Sequence, residues 1–259
     1  GDRRERLLHL RTARPVNLVL VEASEVTPDA QVVLRDGRAT HLRKVLHVVP
    51  GQSVRMGIVN GPLGTGVVRD ITPEAVRLDC RWDATPPRPR VDLLLALPRP
   101  KVLRRLWAQF TALGVGQIIM TNAEKVERNY FDTHVLDEAD YRPLLIEGLQ
   151  QARHTHVPQV SVHRQFRVLI EDHLDQRVGP ALRLVAEPGA RPRLTSALHG
   201  TPPEARVVLA VGPEGGWNAF ELALLQAHGF TPVGLGPRTL RSDTACIALL
   251  ALAHDALGS

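Results

Sequence analysis

Hydrophobic positions fall into two rhythms along this chain. In the first third they alternate with polar ones in short runs. Residues 17–21, 53–59, 65–71 and 75–82 are predicted strands, with Asn60-Gly61 and Gly64 supplying turns. One helix interrupts them at about 38–47. Leu42, Val45, Leu46 and Val49 recur at helical spacing on it, and Arg38, His41, Arg43, Lys44 and His47 fill the other positions. The pattern predicts a small β-barrel with one basic helix. Its cations form either a solvated face or a patch for phosphates.

The rhythm then changes. Residues 91–97 are almost continuously apolar, as a buried parallel strand would be. A helix follows at about 101–113, with Leu103, Leu106, Phe110 and Leu113 on one side and Lys101, Arg104 and Arg105 on another; Gly114 can close it. Residues 117–121, 181–186, 206–211 and 232–235 read as strands. Leu144, Leu145, Gly148, Leu149 and Ala152 mark a helix. Asn218 with Glu221 forms a cap pair, ahead of an apolar stripe of Phe220, Ala223, Leu224 and Ala227 that ends at Gly229. Ser242 is expected to cap a last helix to about Leu257. That helix is apolar on nearly every side, which suits a core or a contact between subunits. The whole predicts an α/β protein with a mainly parallel sheet. "TPPRPRVD", from Thr85 to Asp92, can continue neither a helix nor a central strand. It divides the chain into residues 1–84, a linker at 85–90, and residues 91–259.

Composition narrows the partners. The 259 residues carry 32 Lys+Arg against 27 Asp+Glu, a net charge of +5, which raises the expectation of a nucleic-acid partner. Cys80 and Cys246 lack any paired spacing, which argues against a disulfide scaffold or a zinc site. His154 and His156 flank Thr155 with no further ligands nearby in sequence, so no metal is expected. No apolar run reaches the ~18 residues of a membrane span, and Gly1 to Glu5 carry no apolar signal region. A soluble, cytoplasmic protein is expected.

Three loops follow predicted strands and can carry chemistry: Ala186-Glu187-Pro188-Gly189, Gly212 to Gly216, and Leu235 to Ala245. In parallel α/β sheets, ligands sit beyond the carboxyl ends of strands. The second loop has three glycines in five residues around one carboxylate. It lacks the Gly-Lys-Ser/Thr ending of a phosphate loop and the G-x-G-x-x-G of a dinucleotide site, and its Glu214 would repel a pyrophosphate. Bare glycine backbone instead suits close approach to a flat ligand.

"VGPEGGW" followed by "LGPRTLRSDTA" resembles the cofactor end of the SPOUT methyltransferases. In particular it is similar to the family that methylates N3 of a uridine in bacterial small-subunit (16S) ribosomal RNA. "HLRKVLHVVPGQSV" from His41, "PRPKVLRRLWAQFTALGV" from Pro98 and "QQARHTHVP" from Gln150 resemble further segments of that family. The resemblance implies an N-terminal PUA-like RNA-binding barrel and a C-terminal domain with a deep trefoil knot. It also implies S-adenosylmethionine as cofactor, S-adenosylhomocysteine as product, and a homodimer acting on ribosomal RNA or the small ribosomal subunit.

By matching loop positions, Gly212, Pro213, Gly215 and Gly216 are expected at the cofactor, with Glu187 from the first loop. Leu235, Gly236, Pro237, Leu240 and Ala245 join them from the third. Uracil N3–H must lose its proton before or during attack. Arg238 and Arg241 are candidates to neutralise the resulting oxyanion or to hold a phosphate. Glu214 or Asp243 could be the base, although Asp243 can equally complement a helix dipole. Arg38, Arg43, Lys44, Arg99, Lys101 and Arg153 are candidate RNA contacts. The substrate half departs from the family pattern. Leu149 stands where the family has Glu, Gln109 and Ala112 replace its Lys and Glu, and "TNAEKVERNYF" replaces a Ser-Glu-Arg type loop. Three alternatives stay open: the same fold acting on another RNA atom such as a tRNA ribose 2′-oxygen, a non-catalytic RNA-binding ribosome-assembly protein, and a small-molecule enzyme.

Overall fold

Alternating strands build the first of two units in this computed structural model, which describes residues 18–258. The expected strand's first residue, Asn17, the start Gly1 to Glu5 and the rest of residues 1–17 lie outside the described residues. One unit takes the residues up to 86 together with 153–155; the other takes 87–152 and those from 156 onward.

In the first unit β1 (Val19–Val21), β2 (Gln31–Leu34), β3 (Ser53–Ile58), β4 (Leu63–Ile71) and β5 (Val76–Trp82) form a sheet ordered β1-β3-β4-β5-β2. Only the β1–β3 pair is parallel. β2 had no counterpart in the sequence reading; it is just four residues long. Side chains alternate along β4 between buried and exposed, as a sheet with one covered face requires. The helix α1 (Gly37–Lys44) starts at Asp36, whose carboxylate accepts the Arg38 N–H at 2.9 Å. It stops three residues earlier than expected. His47 turns the chain with φ 49° and Val48 bonds back to Leu42. Pro50 then disfavours helix at Val49. The expected stripe is therefore broken: Leu42 is buried, while Val45 and Val49 face solvent.

In the second unit six parallel strands follow the order β11-β9-β10-β6-β7-β8. They are β6 (Val91–Ala96), β7 (Val115–Thr121), β8 (Gln159–His163), β9 (Ala181–Ala186), β10 (Arg206–Val211) and β11 (Thr231–Val233). β6 and β7 are buried at every position, which explains their largely apolar sequences; the exceptions are Asp92, paired with Arg206 at 2.5 Å, and Gln117 and Thr121. Pro100 occupies the first turn of α2 (Pro100–Ala112). Gly114, with φ 78°, follows its end. α3 (Glu138–Ala152) packs closely on α2 through Gly148, where an added Cβ would lie 2.1 Å from the Ala108 carbonyl oxygen. After β8, α4 (Phe166–Val168) runs through a π turn into α5 (Leu174–Val178), and α6 (Leu194–Leu198) follows β9. The sequence reading had assigned neither β8 nor these short helices.

α7 (Ala219–Ala227) begins with the expected capping box: Asn218 Oδ1 accepts the Glu221 N–H at 2.7 Å, and Glu221 Oε2 accepts the Asn218 N–H at 2.9 Å. Its buried face is not the expected one. Glu221 and Leu225 point inward, while Phe220, Ala223 and Ala227 are exposed. The capping carboxylate also accepts the Glu124 N–H at 2.7 Å, and that polar anchor sets the helix phase against the hydrophobic pattern. α8 (Ser242–Leu257) starts at Ser242 itself, with Arg241 as the capping residue and no side-chain cap bond. It buries Cys246, Leu249, Leu250 and Ala253, and leaves Ile247 and Leu252 partly exposed. Among the described residues no helix is long and apolar enough to cross a membrane.

Candidate active site

The three loops that looked unusual in sequence meet at one place. A cavity of about 250 Å³ lies beyond the carboxyl ends of β9, β10 and β11. Ala186, Val211 and Val233, the last residues of those strands, form its floor. Backbone bonds hold the first two loops and the crossing at Gly234 that leads into the third. Glu187 N–H donates to Val233 O at 3.0 Å, and Gly216 N–H donates to Pro213 O at 2.8 Å. Gly234 N–H donates to Pro192 O at 3.1 Å, and its own carbonyl accepts the Leu194 N–H. At Gly234 an added Cβ would sit 2.3 Å from Ala190 O, so only glycine lets these segments pass.

Glu187, Gly212, Pro213, Gly215, Gly216, Leu235, Gly236, Leu240 and Ala245 all line the cavity, and so do Glu214 and Arg238. Pro237, Arg241 and Asp243 do not, although their neighbours do. Gly216 and Gly236 adopt φ 70° and 131°, and a Cβ on either would meet no atom within 4 Å. Leu235 and Leu240 lie outside strands and helices, and their backbone N–H groups bond to no other described residue. The wall thus offers free peptide edges beside apolar side chains.

Trp217, Pro188 and Thr239 also contribute to the wall. Trp217 was overlooked as a wall residue, although it ends the quoted "VGPEGGW". Its indole Nε1 is buried with no partner, and Gly212 packs directly against it. Lys125, on the loop after β7, was also missed. Its Nζ donates to Gly215 O at 2.6 Å and braces the glycine loop from outside the cavity. Only a fold that brings β7 and β10 to the same edge reveals this contact. Burial pushes the Glu187 carboxyl above its usual value, with the positive charge of Lys125 opposing the shift.

Asp243 lies in the first turn of α8 between two guanidinium groups. Arg105 reaches it at 3.4 Å and Arg241 at 3.6 Å, and it accepts the Thr244 N–H at 2.9 Å. Arg241 remains largely exposed beside the cavity.

The expected RNA contacts scatter. Arg38 is committed inside its unit. It meets Glu25 at 2.5 Å and Asp36 at 2.7 Å, and donates to Leu20 O at 2.8 Å. Hydrogen bonds from this guanidinium hold both carboxyls below their ordinary values. Arg43 donates to the carbonyls of Thr72 and Pro73. Lys44, Arg99, Lys101 and Arg153 are exposed, and Arg153 has a left-handed backbone with φ 58°. Among the described residues no group of three His, Cys, Asp or Glu side chains could hold a metal ion.

A parallel sheet whose carboxyl edge carries a glycine-walled cavity defines an α/β ligand-binding domain. Residues 85–254 match the family model described as RNA methyltransferase domain. The chain is 31% identical over 250 residues to the ribosomal RNA small subunit methyltransferase E of Treponema pallidum, covering 92% of each. This chain belongs to that RNA methyltransferase family. A Borreliella burgdorferi relative, ribosomal RNA small subunit methyltransferase E 1, is 23% identical across 90% of this chain and 95% of its own length. The fold is shared with the ribosomal RNA small subunit methyltransferase E of Neisseria gonorrhoeae, solved bound to S-adenosyl methionine. That match has a TM-score of 0.74 and 21% identity, and covers 93% of this chain and 97% of the other.

Proposed function

We propose that this chain is an S-adenosylmethionine-dependent methyltransferase of small-subunit ribosomal RNA, acting on N3 of a uridine. The observation that carries the reading is the cavity itself, in which three glycine-bearing loops converge beyond β9, β10 and β11. Its features fit the cofactor. The free N–H groups of Leu235 and Leu240 suit the edge of an adenine, the glycines admit a flat ring, and Glu187 suits a cationic ligand. When bound, S-adenosylmethionine supplies a methyl group on a positively charged sulfur.

The protein's own residues then have three tasks. The loop from Gly212 to Gly216, braced by Lys125, fixes the donor's position, so that the acceptor nitrogen can be held at near-attack distance. Arg238 at the rim and Arg241 beside it stabilise negative charge that develops on the uracil oxygens as N3 loses its proton. Glu214, exposed on the cavity wall, is the candidate to accept that proton. Asp243, flanked by Arg105 and Arg241, serves better to orient Arg241.

The family resemblance supports placing residues 91–259 in the SPOUT class, with a trefoil knot formed near the third loop. The five-stranded sheet with one helix supports a PUA-like RNA-binding role for residues 1–84. With Arg38 and Arg43 engaged internally, Lys44, Arg99, Lys101 and Arg153 are the cations left for phosphates in the expected set. The partly exposed Ile247 and Leu252 on α8 suit a homodimer contact. The ribosomal partner implies a cytoplasmic protein.

The test is to incubate the protein with labelled S-adenosylmethionine and small ribosomal subunits from cells lacking the enzyme, digest the RNA and identify the labelled nucleoside. Label in N3-methyluridine is expected. Label in another nucleoside would move the target, and no label despite cofactor binding would reject this RNA.

A further inference from the structure

We propose that a second cavity on the same sheet edge binds a single-stranded RNA nucleotide adjoining the target base. The inference rests on the RNA methyltransferase reading and adds a substrate-recognition site to it. The cavity, of about 380 Å³, lies between the loop after β7 and the start of α7. Asn122, Arg128, Phe166, Arg167 and Phe220 line it.

Position is the first argument. The donor cavity covers the β11-β9-β10 half of the edge, and this cavity begins where β7 ends. Their walls touch: Phe166 of the second cavity meets Trp217 of the donor cavity, with ring centroids 5.3 Å apart. A strand of RNA that puts one base at the donor can therefore lay a neighbouring nucleotide here.

Chemistry is the second. Phe220 is 57% exposed, on a helix whose buried face lies elsewhere. A base stacks readily on such a ring, whatever its sequence. The Arg128 guanidinium makes no ion pair or hydrogen bond with other described residues. Arg167 engages Glu171 only through Nε, at 2.9 Å, which leaves its two terminal nitrogens for a phosphate. The side-chain oxygen of Asn122 is buried without a partner, and an amide can pair with a base edge. The two acidic residues in the wall are occupied with the α7 cap. Glu221 accepts N–H bonds from Asn218 and Glu124, and Glu124 accepts from Asn218 Nδ2 at 2.5 Å. An exposed ring beside unspent guanidinium groups fits base plus phosphate better than an inorganic anion, which needs no ring.

The test uses the full chain with small ribosomal subunits as RNA substrate, and calorimetry for S-adenosylmethionine. Phe220→Ala is expected to raise the KM for RNA about tenfold, with kcat and cofactor affinity unchanged. Phe220→Trp should restore the KM, which a merely structural role would not allow. Arg128→Ala is expected to weaken RNA binding and reduce its salt slope by about one. Unchanged KM in both alanine variants would overturn the proposal, and so would a parallel loss of cofactor affinity in Phe220→Ala and Phe220→Trp. A wild-type chain that methylates no RNA would defeat the underlying reading instead. The site is then read separately through binding of a fluorescein-labelled decauridylate, which both alanine variants should weaken and which, if unaffected, contradicts the proposal.

Discussion

The parallel sheet ends in two ways along one edge. Over β9, β10 and β11 the chain leaves each strand through glycine and proline, and backbone dominates the wall. Over β7 and β8 it leaves through longer side chains, with Asn122, Lys125, Arg128 and Phe166 setting the surface. In the first construction, backbone bonds tie the loops after β9 and β10 and the crossing at Gly234, while the N–H groups of Leu235 and Leu240 stay open. The second leaves the Arg128 guanidinium open to a larger, charged partner, while Lys125 is bonded to Gly215 O and Phe166 packs on Trp217. A donor that is always the same molecule suits the first, and an RNA recognised by stacking and charge suits the second.

Substitutions can break that contrast, starting with the largest effect. Gly234→Ala would place a methyl 2.3 Å from Ala190 O. We expect a loss of about 3 kcal/mol in unfolding free energy together with cofactor binding, read by denaturant titration and calorimetry; a stable variant that still binds would show that the loop crossing is not rigid. Arg241→Ala removes no wall atom. It should lower methyl transfer about a hundredfold with cofactor affinity little changed, as steady-state kinetics beside calorimetry would show, and equal losses in both would refute a role in the transition state. Lys125→Met links the two halves by deleting the 2.6 Å bond to Gly215 O. An exposed bond of this kind is worth about 1 kcal/mol, so cofactor Kd should rise about fivefold.

The smallest effect concerns pH. Glu187 has a carboxyl raised by burial, so the folded state holds its proton more tightly than the unfolded chain does. Its contribution is present at acid pH and is lost as pH rises from the ordinary carboxylate value through the raised one. Glu187→Gln should remove that loss and slightly raise the unfolding midpoint at neutral pH. A midpoint that falls instead would mean that the carboxylate is stabilised in the folded protein.

How much could be read in advance follows the same division. The glycine-walled half was legible because its requirements are local. Glycine and proline after a strand and an Asn–Glu cap pair are visible in a few residues, and all three loops lie beyond strand ends as expected. The crossing glycine, Gly234, was not visible, since it falls inside the expected strand 232–235 whereas β11 ends at Val233. β6 and β10 were equally clear, since strands buried on both faces are mostly apolar; their two charged residues, Asp92 and Arg206, pair with each other at 2.5 Å. The phase of α7 was not legible. Glu221 is buried because Glu124, far away in sequence, donates to it, and that bond outweighs the exposure of Phe220. α1 failed for a related reason: its apolar spacing continues past a turn made by His47 and Val48. Arg38 looked like a phosphate contact because nothing in the sequence ties it to Glu25. Lys125 escaped notice because its acceptor is a backbone carbonyl on another loop.

The central claim is that the glycine-walled cavity holds the methyl donor. Calorimetric titration of S-adenosylmethionine into the wild-type chain and into Gly234→Ala tests it most directly. One saturable site per chain, absent from the variant, is the expected result. No binding by the wild-type chain, or the same binding by both, would contradict it.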